Sequence, residues 1–266
     1  MAVTSLYVVD GKILYDTDLS SALRRLGINA GDHLFMHSDI GKFGRLAAVN
    51  RHNFLTSIIE SILLTVTPGG TLIMPTFTYS FCRNEVFDQE KSPSTVGALT
   101  EFFRNCHGVT RSAHPIFSVA ALGQKQDYFC DVSMDAFGAG SIFEKMYLAN
   151  TKIVFLGARF HACTYLHYIE QCLNVPYRFK KKFLGISRSA AGEKLVECTY
   201  LVRPLDQNVN LDTRKLESAL CEAGLLKRVN FGDGEIMAIS ATDLLNVTGE
   251  LLKKDIYFLL KSAPYV

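Results

Sequence analysis

The stretch that most narrows the choice of fold is residues 151–171, TKIVFLGARFHACTYLHYIEQ. Ile153, Val154, Phe155 and Leu156 form an unbroken apolar run closed by Gly157. Such a run marks a strand of a parallel sheet covered on both faces, where neither set of side chains meets water. A short polar link leads to a helical pattern from Thr164 onward. Strand followed by helix points to a layered α/β architecture, and in open sheets of that kind chemistry collects where the chain leaves the carboxyl end of a strand. His167 sits one turn into the helix and Glu170 three residues later, so they share a helix face. An imidazole exchanges its proton near neutral pH and a helix holds it still, which makes His167 a candidate general base.

The same alternation of core strand and helix repeats upstream. Residues 5–15 alternate apolar and polar around Asp10-Gly11 and read as a β-hairpin or edge pair. Asp18 or Ser20 is placed to cap a helix running to Leu26, before Gly27. Core strands are expected at 33–36, 71–74 and 118–123, and helices at 53–64 and 94–104. Ser141, with Glu144 three residues on, has the pattern of a capping box. After residue 175 the pattern turns hairpin-like, with strands at 195–204 and 235–239 and helices at 211–223 and 241–253. No linker divides the chain, so residues 1–266 read as one α/β domain around a central mixed sheet.

Composition removes several classes. No apolar run is long enough to span a membrane, and the opening residues, with Asp10 and Lys12, lack the pattern of a signal peptide. A cytoplasmic protein with no membrane partner is expected. Seven dispersed cysteines with no CxxC read as reduced thiols. A net charge of +2 argues against binding nucleic acid through a basic face. There is no GxSxG elbow, Walker A sequence, dinucleotide fingerprint or HExxH. His161, Cys163 and His167 match no common zinc spacing, so no metal is expected.

Five segments, in order, resemble the aminoglycoside 3-N-acetyltransferase family, which is distinct from the GNAT acetyltransferases. They are MHSDIG from Met36, GTLIMPTFT from Gly70, PSTVGAL from Pro93, RSAHPIFSVAALG from Arg111 and TYLHYIE from Thr164. The resemblance spans roughly residues 20–185, and the tail after Val175 matches poorly. The resemblance implies an α/β/α sandwich, acetyl-CoA or another acyl-CoA as co-substrate, and a histidine, here His167, that deprotonates an acceptor amine. It also implies a carboxylate that orients this histidine. Asp206, after Arg203-Pro204-Leu205, is the acidic candidate from a later strand, and Glu170 is the alternative on the helix itself.

That chemistry assigns further roles. A protonated amine cannot attack a thioester until an imidazole, with an ordinary pKa of about 6.5, takes its proton. The thioester oxygen gains charge in the transition state, and Thr164 at the helix start offers a hydroxyl beside the first helical N–H groups. The phosphates of CoA call for backbone N–H groups, hydroxyls and a guanidinium. His37, Ser38, Asp39 and Gly41 in one loop, and Arg111, Ser112 and His114 in another, are the candidates, with Thr76 and Ser118 at neighbouring strand ends. The expected partners are therefore CoA and a small-molecule amine, and a homodimer is compatible with the sequence.

Polycationic aminoglycosides call for an acidic cleft. The region after the helix carries Arg178, Lys180, Lys181, Lys182 and Arg188 instead. That balance suits an anionic acceptor, such as a nucleotide-linked amino sugar, better than an antibiotic. A non-catalytic CoA-binding protein and a thioesterase, in which His167 activates water, are the readings from other classes.

Overall fold

The computed structural model describes residues 3–264. Its frame is a seven-stranded sheet in the spatial order Lys227–Phe231, Gly234–Ser240, Lys152–Leu156, His33–Ser38, Thr71–Pro75, Val119–Gly123 and Thr110–Arg111. The three middle strands run parallel, and the flanking pairs are antiparallel. The central strands are the apolar runs recognised in the sequence, and the sheet is mixed as expected.

Period-two alternation along these strands builds two cores. Leu34, Met36, Leu72, Met74, Val154 and Leu156 face one side, where Leu19 and Leu23 of helix Asp16–Arg25 and Phe54, Ile58 and Ile62 of helix Arg51–Val66 cover them. Phe35, Ile73, Ile153 and Phe155 face the other side, against Phe143, Met146, Leu166, Ile169 and Leu244 from helices Ile142–Leu148, Tyr165–Cys172 and Ala241–Lys254. Helices on both faces of a mixed sheet give the α/β/α sandwich, and burial of both strand faces explains why the central strands carry no polar alternation.

Local chemistry sets most boundaries. Asp10 and Gly11 both take positive φ, 48° and 76°, as a tight two-residue hairpin turn requires, and Ser5–Val9 pairs antiparallel with Lys12–Tyr15. Asn50 caps its helix by accepting from the Asn53 N–H at 2.8 Å, and Ser141 accepts from Glu144 at 3.2 Å. Several helix starts differ from the sequence expectation, those expected at 53 and 211 lying at Arg51 and Arg214, and two have a clear local cause. The first helix begins at Asp16, because the Asp18 carboxylate reaches back to the Tyr15 N–H at 2.8 Å and so sits inside the first turn rather than at the cap. The helix expected from Ser94 begins at Ala98, since Gly97 at φ 142° breaks the helical path.

A second sheet carries the part of the chain that follows the site. Strands Phe179–Ser189 and Gly192–Val202 form a long hairpin in continuous antiparallel register, and Phe87–Asp88 adds a short parallel edge. This hairpin stands over the carboxyl end of the central strands and supplies a wall for the cavity beneath it.

Candidate active site

The site begins where Lys152–Leu156 ends. Gly157 takes φ 72°, and a Cβ there would lie 2.4 Å from the Asp39 carbonyl oxygen. Only glycine lets the two strand-end loops approach so closely. The chain then makes a short 3-10 turn, Phe160–Ala162, and enters helix Tyr165–Cys172 with Thr164 at its cap position. The helix ends in a Schellman turn: Asn174 is left-handed at φ 48°, its N–H donates to Gln171 O and that of Val175 donates to Glu170 O. The turn reverses the chain and brings Arg178 back against the helix.

His167 and Glu170 meet as their spacing suggests. The His167 Nδ1 lies 2.6 Å from Glu170 Oε2. Glu170 is fully buried and also pairs with Arg178, whose Nε stands 2.7 Å from the same oxygen. Burial opposes the charge on Glu170. The hydrogen bond and charge of His167, with the Arg178 guanidinium, outweigh it, and the carboxyl lies below the usual carboxylate range. An anionic Glu170 accepts the Nδ1 proton, which leaves the Nε2 lone pair free. Phe137 packs edge-to-face on the imidazole at 5.7 Å between ring centres and further fixes its plane. The ring is nonetheless one-quarter exposed, and its open side lines a cavity.

That cavity has a volume of about 790 Å³. His161, Thr164 and His167 form its floor, and the hairpin contributes Phe179, Lys181, Phe183, Tyr200 and Val202. Thr164 makes only a 3.5 Å contact to Ala162 O, so its hydroxyl is free to turn into the cavity. A second cavity of about 540 Å³ adjoins the first, sharing His161 and Leu211.

The other nominated residues lie elsewhere. Asp206 is exposed on the loop after the hairpin and does not line the cavity; Glu170 is the carboxylate that meets the ring. Arg111 is buried and turned inward. It donates to Gln89 O at 3.1 Å, Ser92 O at 2.6 Å, Thr76 O at 2.9 Å and Ser118 Oγ at 3.2 Å, and lies over the Phe87 ring. Burial lowers its pKa to about 10. Thr76 and Ser118 join hydroxyls at 3.0 Å, Ser112 Oγ accepts from Val119 N, and His114 Nδ1 accepts from Ile116 and Phe117. These five residues, read from sequence as phosphate ligands, form a buried network that ties strand ends together, and none lines the cavity. His37 is buried as well, stacked on Phe155 at 5.4 Å, and burial lowers its pKa to about 4. Ser38 closes the strand, Asp39 follows it and Gly41 lies in the 3-10 turn Ile40–Phe43, all outside the cavity lining; the Asp39 N–H donates to Leu156 O. Sequence reasoning placed Arg178 only in a charged run. Its partnership with Glu170 depends on the turn at Asn174, and an asparagine shortly after a helix was the available signal.

The family model described as aminoglycoside 3-N-acetyltransferase matches residues 35–253. Aminoglycoside N(3)-acetyltransferase IV of Salmonella sp is 29% identical over 190 residues, covering 69% of this chain and 67% of that protein. The chain spans about two thirds or less of the length of the curated relatives it matches, 65% and 60% for two others. Among solved structures, AAC-IIIb in binary complex with CoASH superposes with a TM-score of 0.78 at 23% identity, covering 94% of this chain and 98% of that one. The apoenzyme of aminoglycoside acetyltransferase AAC(3)-IVa gives 0.76 at 25%, covering 93% and 92%. The family match, like the superpositions, runs on through the region after Val175, where the sequence motifs gave only a poor match.

Proposed function

The chain belongs to the aminoglycoside 3-N-acetyltransferase family, and from that premise we propose that it is an acyl-CoA-dependent N-acetyltransferase acting on the amine of an aminoglycoside or other amino sugar, with His167 as general base. The observation that carries the reading is the 2.6 Å contact between His167 Nδ1 and a buried, charge-stabilised Glu170, with the opposite edge of the ring on a cavity. A carboxylate on Nδ1 fixes the tautomer in which Nε2 is a base.

The reaction needs two molecules to meet, and two cavities adjoin at His161. The acceptor nitrogen loses a proton to Nε2 as it attacks the thioester carbon. The carbonyl oxygen gains charge, and Thr164 is the side-chain donor at hand. The C–S bond breaks, and the imidazolium returns its proton to the departing thiolate. Glu170 stabilises the imidazolium between these steps. General-base help of this kind contributes roughly 10²–10⁴ in rate.

The test is release of free thiol from acetyl-CoA with and without an amino sugar. The expected result is release that depends on the amine, with an N-acetylated product of matching amount. Release at the same rate in water alone makes the protein a thioesterase, and no release with retained CoA binding makes it a non-catalytic binder. Domain extent follows the same reading: residues 1–266 are proposed as one acetyltransferase unit.

A further inference from the structure

The hairpin that walls the cavity sorts its positive charges by strand alternation. Lys180 pairs with Asp135 at 2.7 Å, Lys182 with Glu197 at 2.9 Å, and Arg188 with Glu193. Lys181, between the first two, points to the opposite face with Phe179 and Phe183, into the cavity. Lys181 has no carboxylate partner among the described residues and lies 5.2 Å from the Phe183 ring centre. The antiparallel register sets Tyr200 opposite Lys181 and Val202 opposite Phe179, and Arg203 follows directly on the cavity lining. Arg203 makes only two contacts of 3.4 Å, to Val209 O and Asn210 Oδ1, and has no carboxylate partner among the described residues.

Among the described residues, no aspartate or glutamate lines this cavity. Glu170 lies beneath it, buried on the far side of the imidazole and matched by Arg178. The adjoining cavity does contain carboxylates, but His167 does not line it, Asp212 is paired with Arg214, and Glu217 and Glu235 are paired with Arg228. A polycation beside His167 therefore meets cations and finds no carboxylate, an arrangement that repels it. Lys181 and Arg203 are instead two cations on the lining of one cavity, set among aromatic walls with Phe183 and Tyr200 stacked at 5.0 Å and 8°.

We propose that Lys181 and Arg203 select an acceptor amine that carries a phosphate-like anionic group. This rests on the acyl-transfer reading for the position of the amine at His167, and goes beyond it in naming the acceptor's charge and the two residues that read it. The class spans sugar phosphates and nucleotide-linked amino sugars. It excludes the polycationic drugs named for the family as the preferred acceptors of this chain.

The test is calorimetric binding to the full chain saturated with CoA, using glucosamine 6-phosphate, glucosamine and gentamicin as probes. Glucosamine 6-phosphate is expected to bind at least roughly tenfold tighter than glucosamine, with gentamicin the weakest. Lys181→Glu and Arg203→Glu each abolish that preference and leave acetyl-CoA affinity unchanged. Lys182→Glu, the same charge change on the opposite face, alters it by less than about twofold. Both cavity positions are open to solvent, and an unchanged melting temperature certifies the fold of each variant. Equal binding of glucosamine and its phosphate, or tighter binding of gentamicin, overturns the proposal. So does a loss confined to acetyl-CoA, which assigns the two cations to the coenzyme. Amine-dependent thiol release, followed in parallel, keeps the two readings apart. Selective binding without release defeats acyl transfer and leaves the anion site standing, whereas release without selectivity defeats the anion site alone.

Discussion

Three histidines gather at one edge of the sheet, and their surroundings divide them sharply. His37 is the penultimate residue of a core strand, His114 lies in the loop leading to another, and His167 stands on the helix after a third. His37 and His114 are buried, and burial lowers the pKa of each to about 4, so both rings stay neutral near pH 7. His167 faces a cavity with one edge and a buried carboxylate with the other. Residues of similar type thus meet two surroundings at neighbouring strand ends: at one a ring opens on a cavity, and at the other side chains satisfy buried backbone groups. Which surrounding applies is decided by solvent access and by the partner on the second nitrogen.

The sharpest way to break this division is Arg111→Ala. If the network around Arg111 is structural, removing a buried guanidinium strands the carbonyls of Gln89 and Ser92, while that of Thr76 keeps the Ser118 hydroxyl. The expected loss is about 3–5 kcal/mol of unfolding free energy, seen as a lowered urea midpoint. A stable variant with weakened CoA binding instead returns Arg111 to the ligand.

A pH series sharpens the contrast between the histidines. The folded pKa of His37 and His114, about 4, lies below the unfolded value of about 6.5. As pH falls through that window the unfolded chain takes up protons that the folded chain refuses, so stability falls with pH. Each ring accounts for about 2–3 kcal/mol by pH 4.5. His37→Phe, which preserves the stack on Phe155, should flatten the urea-midpoint slope between pH 7 and 4.5 by its share. Glu170 adds a loss of the same sign at lower pH, since its depressed carboxyl stabilises the fold until pH drops through its folded value.

The smallest expected effect lies inside the site. Glu170→Gln keeps the shape but removes the charge that stabilises the imidazolium. It should lower kcat by roughly 10–100-fold, judged from the usual weight of a partner that orients a histidine, with little change in KM. An unchanged kcat reduces Glu170 to a packing role.

Much of this was legible before the structure. The runs at 33–36, 71–74 and 153–156 are so apolar that only a doubly covered sheet accommodates them, and Glu170 was visible as a same-face neighbour of His167 by helical spacing alone. Boundaries were less legible where one backbone angle decided them, as at Gly97. The nominated phosphate residues lie off the cavity lining, which the sequence does not reveal because hydrogen-bonding side chains look alike whether they face a ligand or a carbonyl. Burial of Arg111, Ser112 and Ser118 follows from the antiparallel return of Val119–Gly123 on Thr71–Pro75, a long-range pairing. Arg178 was hidden for a related reason, since its contact with Glu170 is made by a turn. In the basic run, the sequence showed the charges and the strand register decided which of them faces the cavity.

We propose that one imidazole, turned by Glu170, removes the proton from the attacking amine. This step is tested most directly by measuring kcat for His167→Asn at saturating acetyl-CoA and amine, with coenzyme binding checked alongside. The account predicts a fall of about 10²–10⁴-fold with acetyl-CoA affinity retained. Acyl transfer at the wild-type rate in that variant contradicts it.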